Sequence, residues 1–378
     1  MFQDRLVFYL RNNIMGNIMD KLIWLEEVKS NIPSFLKKLK VDNTGFYKFS
    51  IEGDIYGPEC NWGLGQAVYA SKLYYMLNDP ILLSQNQDQL SNFILKFSKP
   101  DGMIYDSFIS QKSFFKRIKN LFFKRDFGNI FNAKTNLAET RQAYAALMCL
   151  GNSPTDRIRI IKPEEDFFED YLNKLDWTHP YAAGSHFSHL LYFLQMEKSF
   201  FNLSSSKYEK LLSRCFIELD CIKNNDGFWY ETGVTDVNQI INGAMKIMTG
   251  LKIIDSLDRI ESPSSIIDLC LETKEFHGGC DNLDRLYVLY HCKKLSNHRS
   301  EEVMDFAIKQ IEFLKDYYYP QYGGFSYYKN KANTSYYGAK VTKGLSVPDI
   351  HGTVLFFWGV VLIADILNLD LGLRDQIT

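Results

Sequence analysis

Apolar residues recur with helical spacing along almost the whole chain, and two kinds of helix alternate. Stretches such as GLGQAVYA, ETRQAYAALMCLG, AAGSHFSHLL and INGAMKIMTGL are apolar nearly all round and rich in small residues. That is the pattern of a helix buried on every side. The stretches that follow them, such as KYEKLLSRCFIEL and EEVMDFAIKQIEFLK, carry a charged face. Taken in order they predict hairpins: 61–77 with 82–97, 137–150 with 164–175, 181–196 with 207–223, 237–257 with 264–272, and 281–292 with 301–317. A last helix over 350–369 is expected to pair with N-terminal helices around 15–40 and close a circle. The alternation predicts an inner and an outer ring, hence an all-α fold of the (α/α)6 toroid type. One domain is expected across 1–378, with 1–60 as N-terminal helices and a connecting segment, and 107–130 as an insertion.

Composition sharpens this picture. Hydrophobic residues make up 46% of the 378, ample for a large core. The 15% aromatic share points to an aromatic-lined cavity as well as packing. A net charge of −2 offers no field for nucleic acid. The seven cysteines, odd in number and with no CxxC pair, predict free thiols in a reducing compartment, hence a cytoplasmic protein. The opening stretch to Glu27 is interrupted by charge every few residues, which predicts no secretory signal. The apolar run 353–364 is too short to span a bilayer and reads as a buried helix.

Three outer helices end in similar turns: KPDGMIYD (Lys99 to Asp106), NNDGFWYE (Asn224 to Glu231) and QYGGFSYY (Gln321 to Tyr328). Glycine supplies the turn and an aromatic follows it. These turns resemble the loops after outer helices in the terpenoid cyclase and protein prenyltransferase toroid superfamily. The resemblance implies chemistry on an isoprenoid inside the ring. The Gln–Trp repeat and the Asp-x-Asp-Asp acid of that superfamily's cyclases are absent, and Asp268-Leu269-Cys270 falls on an outer helix. Six-hairpin glycosidases, lyases and sugar epimerases share the architecture, so the fold leaves the reaction open.

In such a ring the N-termini of the inner helices gather at one end, where free N–H groups and partial positive charge favour binding. Polar residues cluster at these starts: Asn61 and Trp62, Glu139 and Arg141, His186 and His189, Asn242 and Lys246, Asp281 and Asp284, Asp349 and His351. Helix capping accounts equally well for each Asp and Asn taken singly, and poorly for His186, His189, Arg141 and Lys246. Asp281 and Asp284 share a helical face and can divide into acid and base, or hold Mg²⁺ with a diphosphate; a cap plus an ion pair is the plainer alternative. His186 and His189 can carry protons; no resident cofactor is expected, with Mg²⁺ at Asp281 and Asp284 as the alternative. Glu139, Asp281, Asp284, His186, His189 and His351 are thus the candidate catalytic residues. Asn61, Trp62, Arg141, Asn242, Lys246 and Asp349, with the turn residues Tyr105, Asp106, Tyr230 and Glu231, are candidate substrate contacts.

The stretch 111–125, QKSFFKRIKNLFFKR, differs from the rest. It carries six cations and no acid, with Phe114, Phe115, Ile118, Leu121 and Phe122 as an apolar stripe. Such a helix suits an anionic membrane surface, or packs on the outer ring with its charges solvated. The expected function is therefore an enzyme at the inner-helix mouth acting on an isoprenoid or lipid-linked intermediate. The alternatives are a glycan-active toroid and a non-catalytic binding toroid. A deep apolar pocket favours the first and a polar, aromatic one the second.

Overall fold

The computed structural model describes residues 2–114, 118, 133–273 and 278–377, with side chains from Asp20 onward. Most of the basic stretch 111–125 lies outside these residues. Thirteen α-helices and six two-residue strands occur among them. Six helices are buried nearly all round: α2 (Leu64–Leu77), α5 (Ala133–Cys149), α7 (Pro180–Phe200), α9 (Val237–Ile253), α11 (Gly279–Leu295) and α13 (Ile350–Ile366). They contact one another in a closed cycle, α2–α5–α7–α9–α11–α13 and back to α2. Outside them lie α1 (Phe2–Leu39), α3 (Pro80–Leu95), α6 (Glu165–Leu172), α8 (Ser205–Ile222), α10 (Pro263–Glu272) and α12 (Ser300–Lys315). The short α4 (Ser107–Lys112) runs into the start of the basic stretch. Buried apolar side chains from Leu25 to Leu371 make one continuous cluster.

Local sequence sets the helix starts. Asp79, Asp236, Ser204 and Asp349 each accept a backbone N–H of the first turn, and proline opens α3, α7 and α10. Small residues set the closest approach in the cycle. A Cβ on Gly184 of α7 would lie 2.6 Å from the carbonyl oxygen of Gly243 in α9, so these two backbones nearly touch.

The glycine turns form small antiparallel hairpins beyond the outer helices. Ser98 bridges to Ile104, Lys223 to Trp229, and β3 (Tyr318–Tyr319) pairs with β4 (Gly324–Phe325). A fourth, unforeseen copy follows α1, where β1 (Lys40–Val41) pairs with β2 (Phe46–Tyr47) across Gly45. In all four the glycine has φ between 78° and 87°. Two more segments fill in the helical pattern. The hairpin of β5 (Ser335–Tyr336) and β6 (Ala339–Lys340) folds inward, and the tail 367–377 crosses the far ends of the inner helices. In that tail the Arg374 guanidinium donates to the Tyr75 carbonyl at 2.6 Å, and Asp375 accepts from Trp358 Nε1 at 2.7 Å.

Candidate active site

A cavity of about 400 Å³ lies among the six buried helices. Its walls come from α2 (Tyr69, Lys72), α5 (Gln142), α7 (Tyr181), α9 (Lys246), α11 (Cys280, Asp284) and α13 (His351, Trp358). Tyr327 and the β5–β6 hairpin, through Tyr336 and Tyr337, close one end, and Gln376 of the tail lies at the other. Tyr337 sits in the left-handed region with φ 41°, a strained conformation for a bulky residue, and Gly338 follows at 89°. This tight turn is what projects two adjacent tyrosines into the cavity.

Several titratable side chains face this cavity. Burial pushes the Asp284 carboxyl up to about 6 and Asp281 adds to the rise, while Lys246 opposes it. Lys246 is half-buried; desolvation lowers its affinity for a proton, but Tyr181, Asp284 and Cys280 outweigh the loss and hold it above its ordinary value. Its ammonium also lies 5.2 Å from the Tyr181 ring centre. His351 is stacked on Tyr69, with ring centres 4.9 Å apart, and Tyr327 packs at 4.7 Å. Asn333 donates from Nδ2 to His351 Nδ1 at 2.8 Å, and its Oδ1 accepts from the Ser335 N–H. That second bond fixes the amide, so His351 carries its proton on Nε2. Burial lowers His351 to about 4, so the ring is neutral at pH 7.

Asp284, Lys246 and His351 are the candidates that line the cavity. The remaining ones are placed elsewhere, each for an identifiable reason. Asp281 is partly exposed and accepts from Asn242 Nδ2 at 2.7 Å, one step outside the cavity wall. Glu139 is buried, accepting from the Asp106 N–H at 3.2 Å and the Tyr336 hydroxyl at 3.1 Å; burial and the neighbouring Asp106 push its carboxyl well above the usual range. Asp106 caps α4 and accepts from the Gly63 N–H, joining two segments. Asp349 caps α13 and accepts from the Tyr327 and Asn333 N–H groups as well. Arg141 spans three helices, donating to Ser188 at 2.6 Å and Thr249 at 3.1 Å. His189 is buried and held neutral by burial and by Arg141, and His186 packs beside it with ring centres 6.0 Å apart.

Helix α2 starts at Leu64, not at residue 61, because Gly63 at φ 116° turns the chain first. Asn61 is therefore an exposed turn residue and Trp62 a core residue bonded to the Gly57 carbonyl. Tyr105 lies under the Lys99 ammonium, Tyr230 donates to Asp226, and Glu231 is exposed on its turn.

The chain matches no known protein family, no curated protein and no solved structure.

Sequence reasoning missed Lys72, Tyr69, Gln142, Tyr181, Tyr327, Tyr336 and Tyr337. One signal was available: Lys72 is a lone cation in AVYASKLYYML, a helix apolar on every side. Among the described residues no three His, Cys, Asp or Glu side chains gather as a metal ligand set. Nor is any described helix long and apolar enough to cross a membrane.

Proposed function

We propose that the chain is an (α/α)6 toroid enzyme that moves a proton at carbon on a hydroxylated, carbohydrate-like substrate, as a lyase or an epimerase does. The closed cycle of inner helices and their outer companions supports the toroid. One observation carries the chemistry: among the described residues a single carboxylate, Asp284, faces a cavity shared with two ammonium groups, Lys72 and Lys246, and five tyrosines. Glycoside hydrolysis ordinarily needs two carboxylates flanking the scissile bond. Carbocation chemistry would develop positive charge beside two ammonium ions, which oppose it. Proton abstraction develops negative charge, which the same ammonium ions favour. Asp284, near 6, takes or gives the proton at neutral pH; neutral His351 donates from Nε2; the tyrosine rings stack on the substrate's apolar faces. The test is solvent exchange. In D2O with a panel of aldoses, ketoses and uronates, the protein should wash deuterium into one C–H position, and Asp284→Asn should abolish it. No exchange with any sugar, together with turnover of a prenyl diphosphate, would overturn the reading.

A second reading concerns location. Phe114 and Ile118, at the start of the basic stretch, are 50% and 37% exposed. This favours peripheral contact of 111–125 with an anionic membrane and a lipid-linked form of the substrate. Co-sedimentation with anionic but not neutral vesicles, lost in high salt, checks it; equal binding to both would remove it.

A further inference from the structure

We propose that the deep end of the cavity is an oxyanion subsite, in which Lys72 and Gln142 grip a carboxylate or phosphate group of the substrate. The inference rests on reading this cavity as the substrate site, and it adds that the substrate is an anion. Lys72 stands in the middle of α2 and is 4% exposed, yet it lines the cavity. Its ammonium has three donors, and Gln142 Oε1 takes one at 2.6 Å. No carboxylate of the described residues forms an ion pair with it. The acid whose charge reaches it, Asp375, is already engaged by the Lys252 ammonium and by Trp358 Nε1.

The surrounding charge is also unbalanced. Buried Arg141, on the neighbouring α5, has the Ser188 and Thr249 hydroxyls as partners and no carboxylate among the described residues, and Lys246 faces the same space. Glu139 does not line the cavity, and among the described residues Asp284 is the carboxylate that faces it against these cations. A buried cation without a counter-ion is unfavourable, and an anion delivered by the ligand removes the imbalance. The geometry suits one. With its Oε1 committed to Lys72, Gln142 presents its amide N–H groups, so two donors from adjacent helices serve the same oxygens. Burial lowers Lys72 to about 8, so the site is cationic at neutral pH and loses its charge in mild alkali.

The test uses the full chain and two probes, inorganic phosphate and acetate, against sodium chloride at matched ionic strength. Thermal unfolding should rise saturably with phosphate, with acetate or with both, and the pattern distinguishes a phosphoryl from a carboxylate substrate. Lys72→Met should melt higher than the wild type without anion, because the unbalanced charge is gone. It should also need at least tenfold more anion for half its shift. Gln142→Leu, which leaves Lys72 charged, should weaken the response without the gain in melting temperature. No saturable shift beyond that of chloride, or an unchanged half-saturation in both variants, overturns the subsite. Asp284→Asn should keep the anion response while losing deuterium exchange, so the subsite and the reaction fail separately.

Discussion

Asp284→Asn offers a quantitative check on the site. Unfolded, this carboxyl loses its proton near 3.8; folded, burial holds it up to about 6. Because the folded value is the higher one, the proton favours the fold. That stabilisation is complete below pH 4 and is lost as pH rises through 6. The difference of about two pKa units corresponds to ~3 kcal/mol of burial cost borne by the ionised form at pH 7. Asparagine imitates the protonated acid in size and charge, so the variant escapes this cost. We expect Asp284→Asn to be more stable than the wild type by up to ~3 kcal/mol at pH 7, to match it near pH 4, and to be inactive. Urea unfolding followed by circular dichroism at steps from pH 4 to 8 measures both limits. A variant less stable at pH 7, or a difference that does not change with pH, would refute the argument.

Glu139→Gln should change stability by less than about 1 kcal/mol at pH 7, because burial and Asp106 already disfavour the charged acid, and the amide oxygen can accept from the Asp106 N–H while its N–H group donates to the Tyr336 hydroxyl oxygen; chemical denaturation checks this. Gly102→Ala should cost more than about 2 kcal/mol, since its φ is 82° and a Cβ would fall 2.1 Å from the Arg157 carbonyl oxygen; the same measurement applies. Asp349→Ala should cost ~3 kcal/mol or more by leaving three backbone N–H groups without an acceptor, and should loosen Tyr327 beside His351, read as a lower melting temperature together with lost turnover.

Much of the helical framework was legible in the chain because it depends on burial all round, which composition records. The six buried helices and three of the four glycine turns follow from that and from turn chemistry. Helix starts were harder to place. Residues 61–63 look like the head of a helix, but Gly63 adopts a left-handed angle and shifts the start by three positions, which moves Asn61 and Trp62 out of reach of the cavity. The tyrosines at 327, 336 and 337 come from a segment with no period to read, and their direction is set by tertiary contacts such as the Asp349 carboxylate and the turn at 337–338. Asp106, Glu139 and Asp349 were recognisable as unusual residues. Their oxygens are spent on the backbone N–H groups of distant segments, a use that sequence spacing does not reveal. Lys72 was the opposite case: a cation on a helix with no polar face, visible in the sequence as an anomaly.

The cyclic contact of the inner helices has a consequence for the growing polypeptide. Helix α2 meets α13 only after the 272 intervening residues 78–349 have been made, and the cavity takes walls from both. A ribosome releases α2, with Lys72 and Tyr69, long before it delivers Tyr336, His351 and Gln376. Until then the apolar faces meant for α13 stand open to solvent, and no ligand has a place to bind. Ordering of the final segment and the birth of the binding site are therefore a single late event, with a high loop-closure cost that precedes any reward. A nascent chain stalled before α13 should be a client for chaperones and blind to substrate, and the ligand, once present, acts as the clasp that favours completion.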